Sequence, residues 1–512
     1  MTDADVLIAG AGPVGLMLAA ELRLGGVRPL VLERRPQLRD TPRANGLGGQ
    51  ILELLRYRGV LDRVEAAATG IVHPAPRYPF GDVHVDFSPL PEPPLRGLTL
   101  PQPELERLLD ERARELGADV RYHQEITGVR QDAGRVTADV RGPDGTYQVT
   151  ARYLVGCDGG LSRVRESAGL AFPGTTYPEV NRLGQVTLPD SVTRLHNGDL
   201  EVPGLGTVRA GVFARTDRGL FGCGWLTEDV LLISTTEDEP TETDDDVAVT
   251  LDELGASIRR VLGAEFPLGE ARRLSRYQFQ ARQAERYRDG RILLAGDAAH
   301  QFPATGVGLN AGMLDAVNLA WKLAAEIHGR APAGLLDTYH DERHQAGART
   351  MLHTQAQVAL RRGQDAAAEA LRTVFLELLA DDQPLRRIGA LIAGSDIRYP
   401  MPYAGDHPLT GLFAPDLPLH TEAGATSVAE LLHTARPVLL DLADRADLRA
   451  AAADWAHRVD IVTAKTDHRP ADALLIRPDA HIAWTPPAGQ SAAESADTTT
   501  LRDALAYWFG TP

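Results

Sequence analysis

The feature that most constrains this chain is a glycine-rich turn close to its N-terminus. The turn, Gly10-Ala11-Gly12-Pro13-Val14-Gly15, matches the pattern G-x-G-x-x-G. It follows a short apolar segment, Asp5–Ala9, and opens a segment with helical spacing of apolar residues, Gly15–Leu24. A second strand-like segment, Arg28–Leu32, comes next. This order of strand, turn, helix and strand predicts a βαβ unit and an α/β fold.

The same turn predicts a binding site for a dinucleotide. Gly10 would permit the tight turn, Gly12 would let the backbone approach a pyrophosphate, and Gly15 would let the helix pack closely on the strand. Unpaired N–H groups at the start of the helix favour phosphate. Glu33 ends the second strand, where a carboxylate can bind ribose hydroxyls and would repel a 2′-phosphate. The turn therefore favours FAD or NAD over NADP and leaves the choice between FAD and NAD open.

Composition and charge exclude several classes of protein. The 512 residues suffice for about three domains at roughly 150 residues each, and the net charge of −17 argues against a nucleic-acid-binding surface. The two cysteines, Cys157 and Cys223, lack C-x-x-C or zinc-site spacing, so we expect no disulfide framework and no metal site. No apolar run reaches the roughly 18 residues of a membrane span, and the N-terminus lacks the basic segment of a secretory signal. We expect a soluble cytoplasmic protein that binds neither nucleic acid nor membranes.

The distribution of apolar segments predicts the domain organisation. Strands and helices alternate at first, strand-like segments then dominate, and the strand Arg291–Ala295 and the helix Asn310–Ile327 resume the first pattern. The acidic stretch Glu237–Asp246 is predicted to be an exposed loop, and the proline-rich stretch Tyr399–Leu419 a linker. We expect a discontinuous nucleotide-binding domain, a sheet-rich substrate domain and a small C-terminal α/β domain, at residues 1–171 with 280–398, 172–279 and 399–512 respectively.

Three further segments carry a resemblance to a known family. Asp158-Gly159-Gly160-Leu161-Ser162-Arg163-Val164-Arg165 is similar to D-G-x-x-S-x-V-R, and Gly296-Asp297-Ala298-Ala299-His300 to G-D-A-A-H. The segment from Gly312 to Lys322 is similar to G-x-x-D-A-x-N-L-A-W-K. With the N-terminal turn, these segments resemble the class A FAD-dependent monooxygenases, in the branch of the aromatic polyketide and phenol hydroxylases. The resemblance implies a Rossmann-type FAD-binding domain, an inserted sheet-rich substrate domain and a thioredoxin-like C-terminal domain.

The resemblance also extends the set of cofactor-binding residues beyond the turn. It implies that Asp297 hydrogen-bonds a ribityl hydroxyl of FAD and matters more for FAD retention than Asp315. No metal ligand is assigned, and no catalytic acid or base. The residues expected to bind FAD non-covalently are Gly10, Gly12, Pro13, Val14, Gly15, Glu33, Arg34, Arg43, Gln102, Asp158, Asp297, Pro303, Gly306, Gly308, Leu309 and Asn310.

The activity implied by the resemblance is insertion of one oxygen atom from O2 into a polycyclic aromatic polyketide. NAD(P)H would reduce FAD, and hydroxylation would proceed through a flavin C4a-hydroperoxide. The loop from His300 to Asn310 is one residue shorter than in the family pattern, and Gln50 replaces a frequent second arginine. Baeyer–Villiger oxygenation of a ketone to a lactone therefore stays open as an alternative, as do a flavin reductase and a non-catalytic FAD-binding module.

The C-terminal domain and the oligomeric state carry separate expectations. No cysteine follows Cys223, so the thioredoxin-like domain cannot exchange disulfides. Its expected role is packing or contact between subunits. A homodimer is one expectation for the oligomeric state.

Overall fold

The first part of the chain forms a sheet around the predicted βαβ unit. The computed structural model describes residues 2–40, 44–72, 75–81, 83–237, 248–303, 306–362, 365–403, 406–487 and 494–512. The first eleven strands and five helices are β1 (Ala4–Ala9), α1 (Pro13–Leu24), β2 (Pro29–Glu33), β3 (Leu47–Gly48), α2 (Gln50–Tyr57), α3 (Leu61–Ala67), β4 (Gly70–Val72), β5 (Arg77–Phe80), β6 (Val83–Asp86), β7 (Gly97–Thr99), α4 (Gln102–Glu115), β8 (Asp119–Tyr122), β9 (Glu125–Gln131), β10 (Val136–Gly142), β11 (Gly145–Gly156) and α5 (Arg163–Ser167).

A parallel arrangement places the predicted turn at one edge of this sheet. Strand β1 pairs in parallel with β2 and with the C-terminal half of β11, and β2 pairs in parallel with β8. The helix α1 connects β1 to β2, as the sequence predicts, and begins at Pro13 because proline fits the first helical position. The carboxyl ends of β1, β2 and β11 therefore lie together, which is where open α/β sheets bind ligands.

The middle of the chain forms a second, antiparallel sheet backed by a helix. Its strand order is β16-β17-β18-β12-β19, and the short strand β22 (His300–Gln301) follows β19 at the edge. Helix α6 packs against one face. Helix α6 was not predicted from the sequence. The elements of this part are β12 (Gly174–Val186), β13 (Thr193–Arg194), β14 (Leu200–Val202), β15 (Gly206–Val208), β16 (Phe213–Thr216), β17 (Gly219–Trp225), β18 (Leu231–Glu237), α6 (Leu251–Leu262) and β19 (Ala271–Gln283).

The predicted exposed loop Glu237–Asp246 is wrong at its first residue. Glu237 ends β18 as a buried residue rather than opening an exposed loop. Its carboxylate accepts hydrogen bonds from Arg182 at 2.7 Å and from Arg260 at 2.6 Å. The two arginine cations compensate the cost of removing this carboxylate from water. Residues 238–247, the rest of the predicted loop, lie outside the described residues.

The chain then returns to the first sheet and continues into four helices. Strand β21 joins β11 in parallel, so the first sheet gains a strand from a distant part of the sequence. Helix α7 was predicted from the sequence, whereas α8, α9 and α10 were not. The elements are β20 (Arg288–Asp289), β21 (Ile292–Leu294), β22 (His300–Gln301), α7 (Gly308–Ile327), α8 (Thr338–Arg362), α9 (Ala366–Leu378) and α10 (Asp382–Ala393), with a 3-10 turn at Gly296–Ala298.

The C-terminal part forms a four-stranded mixed sheet with its own apolar core. Strand β25 pairs in parallel with β26 and antiparallel with β27. The predicted linker is packed against this part, because Tyr399 and Ala414 are buried. None of the described helices is long and apolar enough to cross a membrane. The elements are β23 (Pro418–Thr421), β24 (Gly424–Ser427), α11 (Val428–Leu431), β25 (Val438–Asp441), α12 (Ala446–Ala452), β26 (Asp460–Thr463), β27 (Ala473–Ile476), β28 (Ile482–Trp484) and α13 (Glu494–Phe509).

Candidate cofactor-binding site

At two positions of the N-terminal turn, neighbouring backbone atoms leave room only for glycine. Gly10 has φ of +101°, and a Cβ there would lie 2.5 Å from the carbonyl oxygen of Cys157. A Cβ at Gly15 would lie 2.0 Å from the carbonyl oxygen of Gly10. Because the opposing atoms are backbone, neither position can accept a side chain without distorting the turn. These glycines serve the tight turn and the close packing of helix on strand, the roles predicted for them.

Gly12 differs, because it faces open space. Among the described residues, a Cβ at Gly12 would meet no atom within 4 Å, and the φ of −79° at Gly12 is accessible to any residue. Gly12 is the N-cap of α1 and has no side chain with which to cap this helix end. The first N–H groups of α1 therefore begin beside a position that no described side chain fills, an arrangement that suits an anion.

Glu33 lies beside this helix end and is held by several hydrogen bonds. Its Oε2 accepts the N–H of Ala11 at 2.8 Å, and its Oε1 accepts Nε of Arg35 at 2.9 Å. Burial raises the pKa of the Glu33 carboxyl, but the hydrogen bonds from Arg35 and Ala11 outweigh this and hold the pKa below its usual value. Arg34, the next residue, is exposed. A fixed carboxylate thus stands at the end of β2, where the sequence analysis expects a ribose.

Asp297 lies at the second part of the candidate site. It is exposed between the buried residues Gly296 and Ala298, in the short turn that follows β21. Its Oδ1 is 3.6 Å from the position of a Cβ at Gly308, the first residue of α7. The N-cap residue of α7, Val307, has no side-chain acceptor and so leaves this helix end uncapped, and no acidic residue occupies the first turn. A carboxylate and a second uncapped helix N-terminus therefore lie side by side.

The two uncapped helices run in the same direction. Near their beginnings, Cγ2 of Val14 lies 2.8 Å from the position of a Cβ at Gly312. Near their ends, the Cβ of Ala324 lies 2.8 Å from the position of a Cβ at Gly25. The absence of side chains at both glycines allows this close approach. Both helix dipoles consequently direct their positive ends to the same region of the molecule.

The Asp158–Arg165 segment joins the same region. Arg165 donates to the carbonyl oxygens of Ala298 at 2.9 Å and of Gly160 at 2.8 Å, so it ties this segment to the turn that carries Asp297. One carboxylate oxygen of Asp158 accepts the N–H of Val164, and Oδ1 is buried without a partner among the described residues. An unpaired buried acceptor is costly unless a ligand or water donates to it.

The structure thus brings most of the predicted residues together around the two helix ends. Arg43 lies outside the described residues. Gln102 uses its side chain within the protein, because Oε1 accepts the N–H of Ala44 at 3.1 Å and Nε2 donates to Glu106 at 2.7 Å. Asn310 donates to the carbonyl oxygen of Gly306 at 2.9 Å and so shapes the loop ahead of α7. Contact of Gln102 or Asn310 with a cofactor stays a prediction.

Two arginines, one beside this site and one at the middle sheet, were not predicted from the sequence. Arg343 pairs with Asp315 beneath the Asp297 turn, and Arg361 reaches the middle sheet. Both lie on α8, which carried no recognisable motif. Helical spacing of apolar residues was the available signal, and α8 is too polar to display it clearly.

The residues present fit the FAD predicted from the sequence. A dinucleotide needs donors for a pyrophosphate, an acceptor for ribose hydroxyls and an acceptor for a ribityl chain. The uncapped end of α1, Glu33 and Asp297 supply groups of these kinds, and no described side chain fills the Cβ position of Gly12. The end of α7 adds a positive dipole where a reduced flavin ring would carry negative charge.

Replacement of Asp297 should reduce FAD binding without unfolding the protein. The side chain is exposed, so Asp297→Ala should leave the melting temperature of the apoprotein within about 1 °C. Loss of a charge-assisted hydrogen bond should raise the Kd for FAD about tenfold, measured by flavin fluorescence titration. Asp144→Ala, at an exposed hairpin turn, is the control and should not change the Kd. Equal Kd values for the two variants would exclude Asp297 as a contact.

Comparison with known proteins identifies the family. Residues 3–354 match the family described as FAD binding domain, and residues 407–512 match the aromatic-ring hydroxylase C-terminal family. The chain is 42% identical, over 99% of each sequence, to 12-dehydrotetracycline 5-monooxygenase/anhydrotetracycline 6-monooxygenase of Streptomyces rimosus. It is 39% identical to dialkyldecalin synthase of Streptomyces rugosporus, over 100% of this chain and 99% of the relative. The structure of OxyS anhydrotetracycline hydroxylase from Streptomyces rimosus matches with a TM-score of 0.86 and 41% identity, over 99% of each chain. The chain therefore belongs to the class A FAD-dependent monooxygenases, in the branch of the aromatic polyketide hydroxylases.

Proposed function

We propose that this enzyme uses NAD(P)H and O2 to hydroxylate a polycyclic aromatic polyketide, with FAD held between the N-termini of α1 and α7. The observation that carries the proposal is the convergence of two uncapped, parallel helices beside Glu33 and Asp297. When bound, FAD supplies electron transfer from NAD(P)H and delivery of one oxygen atom from O2. The residues of the chain bind, orient and shield the reactants.

Each part of the proposed site has a separate task. The N–H groups of α1 hold the pyrophosphate next to Gly12, and Glu33 accepts hydrogen bonds from the adenosine ribose. Asp297 accepts a hydrogen bond from the ribityl chain. The positive end of α7 stabilises negative charge on the pyrimidine side of the reduced ring. Pro303, Gly306 and Leu309 border this ring, and Asp158 accepts from FAD or NAD(P)H.

The substrate is proposed to bind on the face of the middle sheet that is turned away from α6. The opposite face is filled, since a Cβ at Gly184 would lie 2.4 Å from a methyl carbon of Leu254 on α6. Side chains alternate between faces along a strand, so Asn181 and its cross-strand neighbours Thr236 and Tyr277 share the other face. That face continues into β22, which leads to the loop ahead of α7.

Polar groups on this face suit an oxygen-rich aromatic substrate. Arg361 donates to Oγ1 of Thr236 at 2.7 Å and stands over the rings of Phe213 and Phe279, at 5.1 and 5.5 Å. Thr236 donates to Oδ1 of Asn181 at 2.7 Å. Nδ2 of Asn181 is buried and has no partner among the described residues. Aromatic rings and a guanidinium can hold a planar polyphenol and its acidic oxygens.

The finer domain assignment is part of this proposal. Residues 1–171 with 280–398 would form a Rossmann-type FAD-binding domain, 172–279 the substrate domain and 399–512 a thioredoxin-like domain. The parallel strands β1, β2, β8, β11 and β21 support the first assignment. The mixed sheet of β25 to β28 supports the third. The substrate, O2 and NAD(P)H are the proposed small-molecule partners.

The experiment that decides between these activities traces an isotopically labelled oxygen atom from O2 into the product. The purified protein would be reduced with NADH or NADPH under anaerobic conditions and then mixed with 18O2 and a polycyclic phenol such as anhydrotetracycline. We expect a product that carries one 18O atom as a new hydroxyl group. A lactone would indicate Baeyer–Villiger oxygenation, and an isomer of unchanged mass would indicate a synthase. Hydrogen peroxide as the sole product with every substrate would refute the proposed activity.

A variant tests the proposed substrate face separately. Arg361→Met should keep FAD bound but raise KM for the polyphenol roughly tenfold, because the guanidinium no longer pairs with its acidic oxygens. The measurement is substrate-stimulated oxidation of NAD(P)H. Arg218→Met, at an exposed turn of the same sheet, is the control and should keep the KM of the wild type. Equal KM values for both variants would place the substrate elsewhere.

A further inference from the structure

A buried carboxylate on α7 holds the turn that carries Asp297. Oδ2 of Asp315 accepts the N–H of Gly296 at 3.0 Å and lies 2.8 Å from Nε2 of His300. Asp315 is fully buried, so these partners replace water entirely. The residues on both sides of the Asp297 turn are therefore fixed to a single side chain.

A buried arginine on α8 orients that carboxylate. Nε of Arg343 donates to Oδ1 of Asp315 at 2.6 Å, and Nη2 donates to the carbonyl oxygen of Ala311 at 3.0 Å. Ala311 lies in the first turn of α7. The rigid guanidinium thus fixes the Asp297 turn, through Asp315, and the start of α7 in one geometry. Burial raises the pKa of the Asp315 carboxyl, but the charges of Arg343 and His300 outweigh the effect of burial and hold the pKa below its usual value.

Contacts from the C-terminal part of the chain complete the arrangement. Nη1 of Arg343 donates to the hydroxyl oxygen of Tyr399 at 2.7 Å. The Tyr399 ring stacks on His481, with ring centres 4.3 Å apart, and Nδ1 of His481 lies 3.1 Å from the carbonyl oxygen of Asp479. Asp479 and His481 belong to the connection between β27 and β28. A continuous series of buried contacts therefore joins this connection to the Asp297 turn.

We infer that Asp315, Arg343 and Tyr399 are positioning residues, through which the C-terminal part of the chain sets the affinity for FAD. The inference rests on the proposed FAD site. None of the three needs to touch the cofactor. Loss of the Tyr399 hydroxyl leaves Nη1 of the buried Arg343 without its acceptor, and the guanidinium must then shift away from Asp315 or Ala311 to find another. Either shift displaces a group proposed to contact FAD.

The test compares two buried tyrosines that both anchor the C-terminal part. Tyr399→Phe removes the hydroxyl bonded to Arg343 and keeps the stack on His481. Tyr57, on α2, stacks on Phe413, which in turn contacts His481. Tyr57→Phe keeps that stack and removes only the hydroxyl that donates to the carbonyl oxygen of Ala414 at 2.6 Å, a bond outside the series of contacts. We expect Tyr399→Phe to raise the Kd of the apoprotein for FAD about fivefold and to change the visible circular dichroism of bound FAD. Tyr57→Phe should change the melting temperature only.

The outcomes separate this inference from the proposed site. Equal Kd values and equal flavin spectra for the two variants would overturn the inference while wild-type binding of FAD would still support the site. A wild-type chain that binds no FAD would overturn both. If Tyr399→Phe does not fold, Arg343→Lys decides, because lysine keeps the charge beside Asp315 but cannot reach Tyr399 and Ala311 together. A Kd unchanged in Arg343→Lys would count against the inference.

Discussion

Gly12→Asp should abolish FAD binding while leaving the apoprotein folded. The φ of −79° and ψ of 179° at Gly12 suit aspartate, and no atom of the described part of the chain lies within 4 Å of the new Cβ. Aspartate is also a favoured N-cap residue, so its carboxylate should accept N–H groups at the start of α1. The melting temperature of the apoprotein should therefore stay the same or rise slightly.

The affinity for FAD falls because the new carboxylate occupies the proposed position of the pyrophosphate. Like charges about 4 Å apart near a protein surface repel by roughly 4 kcal/mol, and each 1.4 kcal/mol is about tenfold in Kd. We expect the Kd for FAD to rise at least about a hundredfold, so that the protein is purified without yellow colour. The measurements are flavin absorbance after purification and fluorescence titration of the apoprotein.

The variant Gly12→Asn distinguishes the effect of the added side-chain volume on FAD binding from the effect of the added negative charge. Asparagine has nearly the same size and also caps helices, but it does not repel phosphate. Its loss of affinity should be clearly smaller than that of Gly12→Asp. Similar Kd values would attribute the effect to volume alone, and retention of FAD by Gly12→Asp would place the pyrophosphate elsewhere.

The turn that contains Gly12 was predicted correctly from the sequence, whereas the burial of Glu237 was not. The turn at Gly10–Gly15 is local, since its strand, glycines and helix lie within one short segment, and the structure agrees with the predicted positions. Glu237 was predicted wrongly because its burial depends on Arg182, 55 residues away, which no local pattern reveals. Local turn chemistry is thus readable, whereas the pairing of buried charges depends on the finished fold.

The same limit explains what was missed around the site. Asp297 was predicted because it lies in a recognisable motif. Arg343 bonds to Asp315 across 28 residues, and Arg361 bonds to Thr236 across 125 residues. Neither arginine has a neighbouring sequence that distinguishes it from the many surface arginines of this chain. Helix packing brings these partners together, so they become visible with the structure.

The contacts that join α7 and α8 to the C-terminal sheet also connect residues that lie far apart in the sequence. Glu342 on α8 lies in a buried cluster with two cations, accepting from Lys322 at 2.7 Å and from Arg477 at 2.5 Å. Asn318 donates to Glu342 at 2.7 Å and to Asp479 at 2.8 Å. The cluster joins α7 and α8 to the C-terminal sheet. It gives that sheet a packing role, in agreement with the absence of redox-active cysteines there.

Glu342→Gln should produce the largest loss of stability among conservative substitutions in this cluster. It leaves Lys322 and Arg477 buried with Asp479 as their remaining carboxylate, and removal of one partner from a buried ion pair costs about 3–5 kcal/mol. We expect the melting temperature to fall on the order of 5 °C or more, measured by calorimetry. Glu104→Gln is the control, because its ion pair with Arg107 is open to solvent on one side and should contribute less than about 1 kcal/mol.

The pH dependence of this loss gives an independent check. Burial lowers the pKa of Lys322 to about 8, partly opposed by Glu342, and removal of Glu342 should lower it further. A lysine whose pKa is lower in the folded than in the unfolded state binds fewer protons when folded, so stability rises as the pH rises through the folded pKa. The deficit of Glu342→Gln should therefore be larger at pH 6 than at pH 8.5. A deficit independent of pH would mean that Lys322 keeps its proton and that its charge is compensated by other groups.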